Sequence, residues 1–568
     1  MTMKSTYMRL HREMVTVIFA ICALILNPTG ALVMGQGQPH QEEITVVAPF
    51  EPTIADAMKI GMNPVTSDTA SLKKDFTYEI LSTLLPTPFT VTPLKPARLA
   101  GEPLTKLYSN YLRAGMGTYT SPFVDYYYNS QRAKDLNYAI RIKHFSSRGE
   151  LPEVGFPGTS NNHLGFKIRQ IGKKGHTKWA GFAYNRDVYH FYGFPVMDSM
   201  PEPEDYRQRY QQLGLELGAF RHDIDKRKIH YDTRLNIHHL NNLSESRALT
   251  AGISALVGKQ LDFLEFSDRQ EIAVTAAAEL DQTVLADSNQ GVVSLITIQP
   301  VFKARMGEFE LHAGLRADVM TDTASELMLS PIIGVKIDVI DQALSISFGM
   351  KGDVTRMNIK RLMGDNPYIG DRIPLYFQKN KLQIYGNLDG RLGRKIGFHT
   401  GIVVSKLDNA GFFVNDTLLQ PWRPFTLVLD NVNLFEANAA FTFDWHQKWQ
   451  SRLRMKYQHF SLGNATPWHI PEFTTAFLLS YRLGEKFLVR TELFGATERL
   501  ARDYDLQGKE LTVTLPGYLD LNAGVEYRYS KILSGFVEVN NMLNRHYYVW
   551  NGYPVQGLRV MAGFTYAF

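Results

Sequence analysis

From Tyr111 to the end of the chain, apolar and polar residues alternate with a period of two, segment after segment. Leu164, Phe166 and Ile168 alternate with Gly165, Lys167 and Arg169, and Tyr138, Ile140 and Ile142 with Ala139, Arg141 and Lys143. The same holds for Ile229 to Ile237, Phe473 to Tyr481 and Leu519 to Tyr527. A period of two is that of a β-strand with one greasy face. So many charged faces cannot be buried in a soluble core. A closed wall with lipid outside and water inside satisfies both faces of every strand, because the lumen of a membrane barrel is polar. The mean hydropathy of −0.19 fits that reading, since lumen residues dilute the apolar half. The last eleven residues, Leu558 to Phe568, place Leu558, Val560, Ala562, Phe564, Tyr566 and Phe568 on one face. Chain ends usually fray, so a terminal strand closing on an aromatic predicts barrel closure. Phe564, Tyr566 and Phe568 are read as its C-terminal assembly signal.

The N-terminus differs. Lys4, Arg9 and Arg12 precede an apolar run, Val15 to Leu26, too short to span a bilayer as a helix. Residues 1–35 are read as a secretory signal peptide, which carries away Cys22, the only cysteine. No later stretch is apolar for long enough to form a transmembrane helix. Nine of the 26 prolines lie between Pro39 and Pro103, a density that favours extended chain over helix or central strand. Residues 36–105 are therefore expected to form an extended proline-rich periplasmic arm, and 106–568 the barrel.

Short polar or glycine-bearing turns are expected near Arg132, Gly175, Asp225, Lys259, Gly307, Asp341, Gly393, Lys448, Gly484 and Lys531. Longer connections alternate with them, among them Phe191 to Asp205, Gly352 to Tyr376, Asp408 to Arg423, Ala496 to Gly517 and Asn544 to Val555. Ten short turns with both ends of the barrel on one side close only as eleven hairpins. The expected fold is thus all-β, a transmembrane antiparallel β-barrel of about 22 strands. The weak net charge of +5 gives no reason to expect a nucleic-acid partner.

The final segment from Tyr518 resembles the C-terminal end of TonB-dependent outer-membrane receptors. The resemblance lies in Val539-Asn540-Asn541-Met542-Leu543-Asn544-Arg545-His546-Tyr547, then a short loop, then Gly557-Leu558-Arg559-Val560 leading into the last strand. Glu43, Ile44, Thr45, Val46, Val47 and Ala48 look like the box that pairs with the energy-coupling protein TonB in that family. The resemblance implies 22 strands, an outer-membrane location in a Gram-negative envelope, and transport. It stops short of a plug domain, for which Pro49 to Pro103 gives too little room and lacks the glycine-rich hairpin pattern.

Candidate sites are few. Gly252 to Lys259 (GISALVGK) spaces its glycines wrongly for a phosphate loop and reads as strand. His238 and His239 point to opposite faces of a strand, which leaves at most two of His230, His238 and His239 to share a metal. No HExxH, GxSxG or supported carboxylate pair occurs, so neither enzyme nor cofactor is expected. Arg452, Arg454, Lys456, Arg482, Arg490, Arg528 and Arg559 take the polar phase of the last strands, and the lumen wall is their expected place. There they would pair with Asp520, Glu492 and Glu526, or leave a positive field for anionic solutes; pairing is the favoured reading. Phe191, Tyr192, Phe194, Tyr547, Tyr548, Trp550 and Tyr553 are read as interfacial girdle aromatics rather than ligand contacts. The expected function is uptake of a solute, with outer-membrane lipid and TonB as partners. The rival is a plug-less barrel that docks envelope lipoproteins or another barrel as part of an assembly.

Overall fold

The computed structural model describes residues 106–568, apart from 132–133, 173–174, 197, 222–227, 286–287, 417–421, 447, 464–465 and 505–508. The expected signal peptide, proline-rich arm and 43–48 box lie outside the described residues.

Twenty-two strands hydrogen-bond into one antiparallel sheet that closes on itself. The strand Asn110–Gly117 pairs on one side with Ser121–Asn129 and on the other with the last strand, Arg559–Ala567. Closure leaves no sheet edge, which is the condition for a sheet to cross hydrocarbon. The seam is tight. A Cβ at Gly563 would meet the Ala114 carbonyl oxygen at 2.1 Å and the Phe536 ring at 2.6 Å. Glycine is required there because the backbones approach beneath that ring.

The register stacks the apolar phases side by side around the wall. Tyr138, Ile168, Ala180, Leu217, Leu235 and Ile253 form one continuous row through six strands. Ile253 is 57% exposed in the isolated chain. An outward row of this kind is stable only against lipid.

Each of the ten expected turns falls between consecutive strands at one rim, the one placed near Lys259 coming just after Leu261. Both ends of the barrel wall lie at this rim. Gly307, Gly393 and Gly484 turn there with φ of +57°, +63° and +61°. Nothing lies within 4 Å of a Cβ built on any of the three, so it is the left-handed backbone, not space, that calls for glycine. Aromatic side chains line the outer face just inside this rim over the last strands. Trp449 and Tyr481 pair across strands at 4.2 Å, Phe487 and Tyr527 at 4.9 Å, and Tyr566 and Phe568 stack at 5.0 Å. Such a girdle is where lipid meets water.

At the opposite rim lie the long connections, which carry a seven-residue helix, Ile359–Asp365, and two small hairpins. One hairpin pairs Arg499–Tyr504 with Glu510–Leu515, the other Tyr548–Trp550 with Tyr553–Pro554.

Candidate functional site

The lumen wall holds the basic residues picked out in the sequence. Arg452 and Arg490 line a recess of about 580 Å³ together with Glu492, Glu526 and Glu538. Arg482 and Arg528 line a second, of about 780 Å³, at the short-turn rim. Arg559 lies at 5.3 Å from the ring of Phe145, and Arg454 is exposed between Arg452 and Lys456. Lys456 reaches Glu436 at 2.8 Å.

The favoured pairing with Asp520, Glu492 and Glu526 does not form. Among the described residues, Arg452, Arg454, Arg482, Arg490 and Arg528 make no ion pair. Register is the reason. Arg452 sits opposite Leu478, and Leu478 opposite Glu492, which puts the two charges two strand spacings apart, about 9–10 Å. Asp520 instead accepts a hydrogen bond from the Tyr547 hydroxyl at 2.8 Å. The histidines do not converge either. His230 contacts Glu271 at 3.3 Å near the short-turn rim, whereas His238 lies beside Lys360 in a separate lumen recess. No cluster of metal-ligating side chains occurs among the described residues.

The long-loop mouth is built differently. Asn358 caps the helix by accepting from the Arg361 amide at 3.1 Å. Ile359, Leu362 and Met363 then face inward at helical spacing and pack on Tyr210, Leu240, Ala248 and Leu285 of the wall. Beneath it, Arg356 and Asp281 pair at 3.6 Å, both buried, with Thr250 donating to Asp281 at 2.8 Å. The chain leaves the helix and binds the next loop, the Phe425 amide donating to the Tyr368 carbonyl and the Gly370 amide to the Phe425 carbonyl, both at 2.8 Å.

Around this crossing the loop aromatics pack on one another. Tyr368 stacks on Tyr553 at 4.1 Å, Tyr192 meets Tyr553 edge-on at 5.0 Å, and Phe425 lies 5.4 Å from Trp550. Phe194, Tyr206 and Trp422 form a second knot, each pair 5.0–5.4 Å apart. The expected lipid girdle for these loop residues is thereby corrected: Tyr192, Phe194 and Tyr553 are buried at 6%, 1% and 2% exposure against other loops. An aromatic ring in a loop can satisfy its apolar surface on another loop as well as on lipid, and here the neighbouring loops are closer. Tyr547 stacks on Tyr518 at 4.0 Å, and Tyr548 alone among the seven remains exposed.

Polar contacts lock the knots. Tyr192 donates to the Pro554 carbonyl at 3.0 Å, and Tyr553 to the Trp422 and Arg423 carbonyls. Arg423 pairs with Asp503, and Arg499 donates to the Tyr548 carbonyl at 2.6 Å. Asn551 ties two loops by donating to Asn415 at 3.0 Å. Its amide also donates to Nε2 of His469 at 3.2 Å, so Nδ1 carries the ring hydrogen and donates to the Phe413 carbonyl at 2.9 Å. Burial pushes the Tyr368 phenol up to about 12 and the His469 imidazole down to about 4. Both are neutral at neutral pH, as a dry interlocked lid requires. These lid residues carry no sequence periodicity; the only sign of them is aromatic density in long connections.

A closed ring of 22 strands, apolar outside and wet inside, with tight turns at one rim and interlocked loops at the other, has the build of a large transmembrane β-barrel. No protein-family model and no curated protein matches the sequence. Solved structures do match in fold. The FrpB iron transporter from Neisseria meningitidis aligns with TM-score 0.63 at 12% identity, over 82% of this chain and 82% of that one. The pyoverdine outer membrane receptor FpvA from Pseudomonas aeruginosa PAO1, bound to pyoverdine, aligns with TM-score 0.60 at 12% identity, over 82% and 79%. The siderophore receptor PirA from Acinetobacter baumannii gives 0.60 at 10% identity, over 82% and 81%. The chain therefore has the barrel fold of the TonB-dependent receptors.

Proposed function

We propose that this protein is an outer-membrane barrel that takes up a solute in the manner of a TonB-dependent receptor. Its long loops would face the exterior, and both ends of the barrel wall the periplasm. The observation that carries the reading is the pairing of a wet lumen, lined by charges of both signs, with a mouth where the long loops pack on one another. A pore for free diffusion has no use for such a lid; a path that opens for one class of cargo does. The fold neighbours are an iron transporter and receptors for pyoverdine and siderophores, which makes ferric chelates the first cargo to test. The five lumen arginines without ion pairs suit an anionic chelate. Glu43 to Ala48 would offer an extended edge for TonB to pair with. The role is that of a carrier, not a catalyst.

The test is uptake of a panel of radiolabelled ferric siderophores by cells that depend on this protein, with and without residues 43–48. Uptake of at least one chelate, lost on the deletion, is the expected outcome. If no chelate enters, and the protein leaves the membrane in mild detergent with a stoichiometric lipoprotein or barrel partner, the assembly reading replaces it.

A further inference from the structure

On the outer face, the rows of the wall change character abruptly toward the long-loop rim. One row, Ile142, Leu164, Tyr184, Leu213, His239 and Leu249, is mainly apolar. The next row on that same outward phase is His144, Asn162, Arg186, Gln211, Asn241 and Arg247, polar at all six strands. One step further lies Arg209, opposite Val188 and therefore diagonal to Arg186, about 7 Å away. Arg207 follows on the same strand face, partly neutralised by Glu204 at 3.7 Å.

The phase is secure because the alternate residues point inward. Gln208 and Tyr210 are 2% and 1% exposed, and Tyr210 packs under the lumen helix. Arg186, Arg209 and Arg247 have no acidic partner among the described residues, and Nε of Arg209 is buried without a hydrogen-bond acceptor. The nearby acids are Glu204, already engaged with Arg207, the exposed Glu202 and Asp205 of the same loop, Asp205 accepting from the Glu202 amide, and Glu245 in the exposed loop before Arg247. Gln211 donates to the Tyr184 hydroxyl at 3.1 Å, and His144 bonds Asn162 at 2.8 Å, so the belt between the arginines is ordered.

We propose that this patch binds the phosphorylated headgroup of a glycolipid in the membrane leaflet at the long-loop rim. The arginines supply forked donors that match phosphate oxygens. Directly below them Leu164, Phe182 and Leu213, at 41%, 39% and 44% exposure, give acyl chains a wall to lie along. A free anion would use only the upper half of this surface; a lipid uses both. The inference rests on the membrane placement and orientation proposed above and not on transport.

Full-length protein, taken from the membrane in mild detergent, is titrated with diphosphorylated lipid A and with a chemically dephosphorylated form, with bound lipid counted by native mass spectrometry. Arg186→Gln/Arg209→Gln should lose on the order of tenfold in affinity for the phosphorylated lipid. Arg186→Lys/Arg209→Lys should fall between that variant and the wild type, because lysine keeps the charge and loses the fork, and Lys259→Gln, which removes an outward charge at the opposite rim, should bind as the wild type does. Heat-modifiable gel mobility checks that each variant is closed. Equal binding by the Gln pair and the wild type, or equal binding of the two lipids, overturns the proposal. So does full displacement by millimolar inorganic phosphate, which marks a plain anion site. Loss of uptake on deleting residues 43–48 leaves this binding unchanged, which lets the two readings fail separately.

Discussion

The two rims of the barrel use the same residue types for opposite ends. At the short-turn rim, Trp449, Tyr481, Phe487 and Tyr527 meet neighbours one strand away and turn their outer faces to lipid. At the long-loop rim, Tyr192, Tyr368, Phe425 and Tyr553 meet partners more than a hundred residues away; Tyr192, Phe425 and Tyr553 are buried and Tyr368 is half-buried against them. An aromatic on the first rim is held by the sheet, so its removal is a local loss. On the second, the rings are held mainly by one another across loops, with Tyr189 and Phe413 of the wall strands at the margin, so the lid is expected to loosen as a unit.

The largest test of this contrast is Tyr553→Ala. Removing that ring from a fully packed site should cost the closed lid about 3–5 kcal/mol. Hydrogen exchange at the Phe425 and Gly370 amides should accelerate several-hundredfold, and unchanged rates there would mean that the loops are held by something other than the aromatic knot. Next is acidity. Above about pH 6.5, open and closed lids both hold a neutral His469, and closure is at full strength. Below that, the open form takes up a proton that the closed form refuses until about pH 4, because burial and the nearby Arg499 disfavour charge. Closure should therefore weaken through that window by about 3 kcal/mol at its lower end. Emission from Trp550, 5.4 Å from the imidazole, reports it, and His469→Gln should flatten the profile; a profile that persists in that variant would assign the effect elsewhere.

A smaller effect separates the two kinds of glycine. A Cβ at Gly193 would lie 2.6 Å from the Tyr553 ring, so Gly193→Ala should cost the lid about 1–3 kcal/mol by overpacking. Gly393→Ala, at φ +63° in open space, should cost the turn about 1 kcal/mol through backbone strain alone and leave loop exchange untouched. Equal loop exchange in the two variants would erase the distinction between the rims. Smallest of all, Lys456→Gln removes a half-exposed ion pair with Glu436 and should change thermal stability by under about 1 kcal/mol.

The strand wall was legible in its phase and its number of strands, though the strands ending at Met357 and Asn415 run past the connections expected to begin at Gly352 and Asp408. Period-two patterning gave the faces and the closing strand, because a strand between lipid and water must declare both faces in its own sequence, and the polar and glycine-bearing turns gave the count of about 22. The lumen cations were legible as a phase. Their failure to pair was not, because it depends on which residues the register places opposite Arg452 and Arg490. The loop aromatics could be seen and were misassigned, since nothing in Tyr192 or Tyr553 says whether lipid or another loop will cover it.

What the sequence determined alone was the wall: alternation is a local property, dictated by the two solvents that each strand touches. The lid and the belt of outward arginines were decided by tertiary structure. One is made of contacts such as Tyr192 with Tyr553, and the other by the lateral alignment of Asn162, Arg186 and Gln211 on three strands. The lid needs loops from distant strands to meet, and the belt needs the register between neighbouring strands; neither can be read from one segment alone.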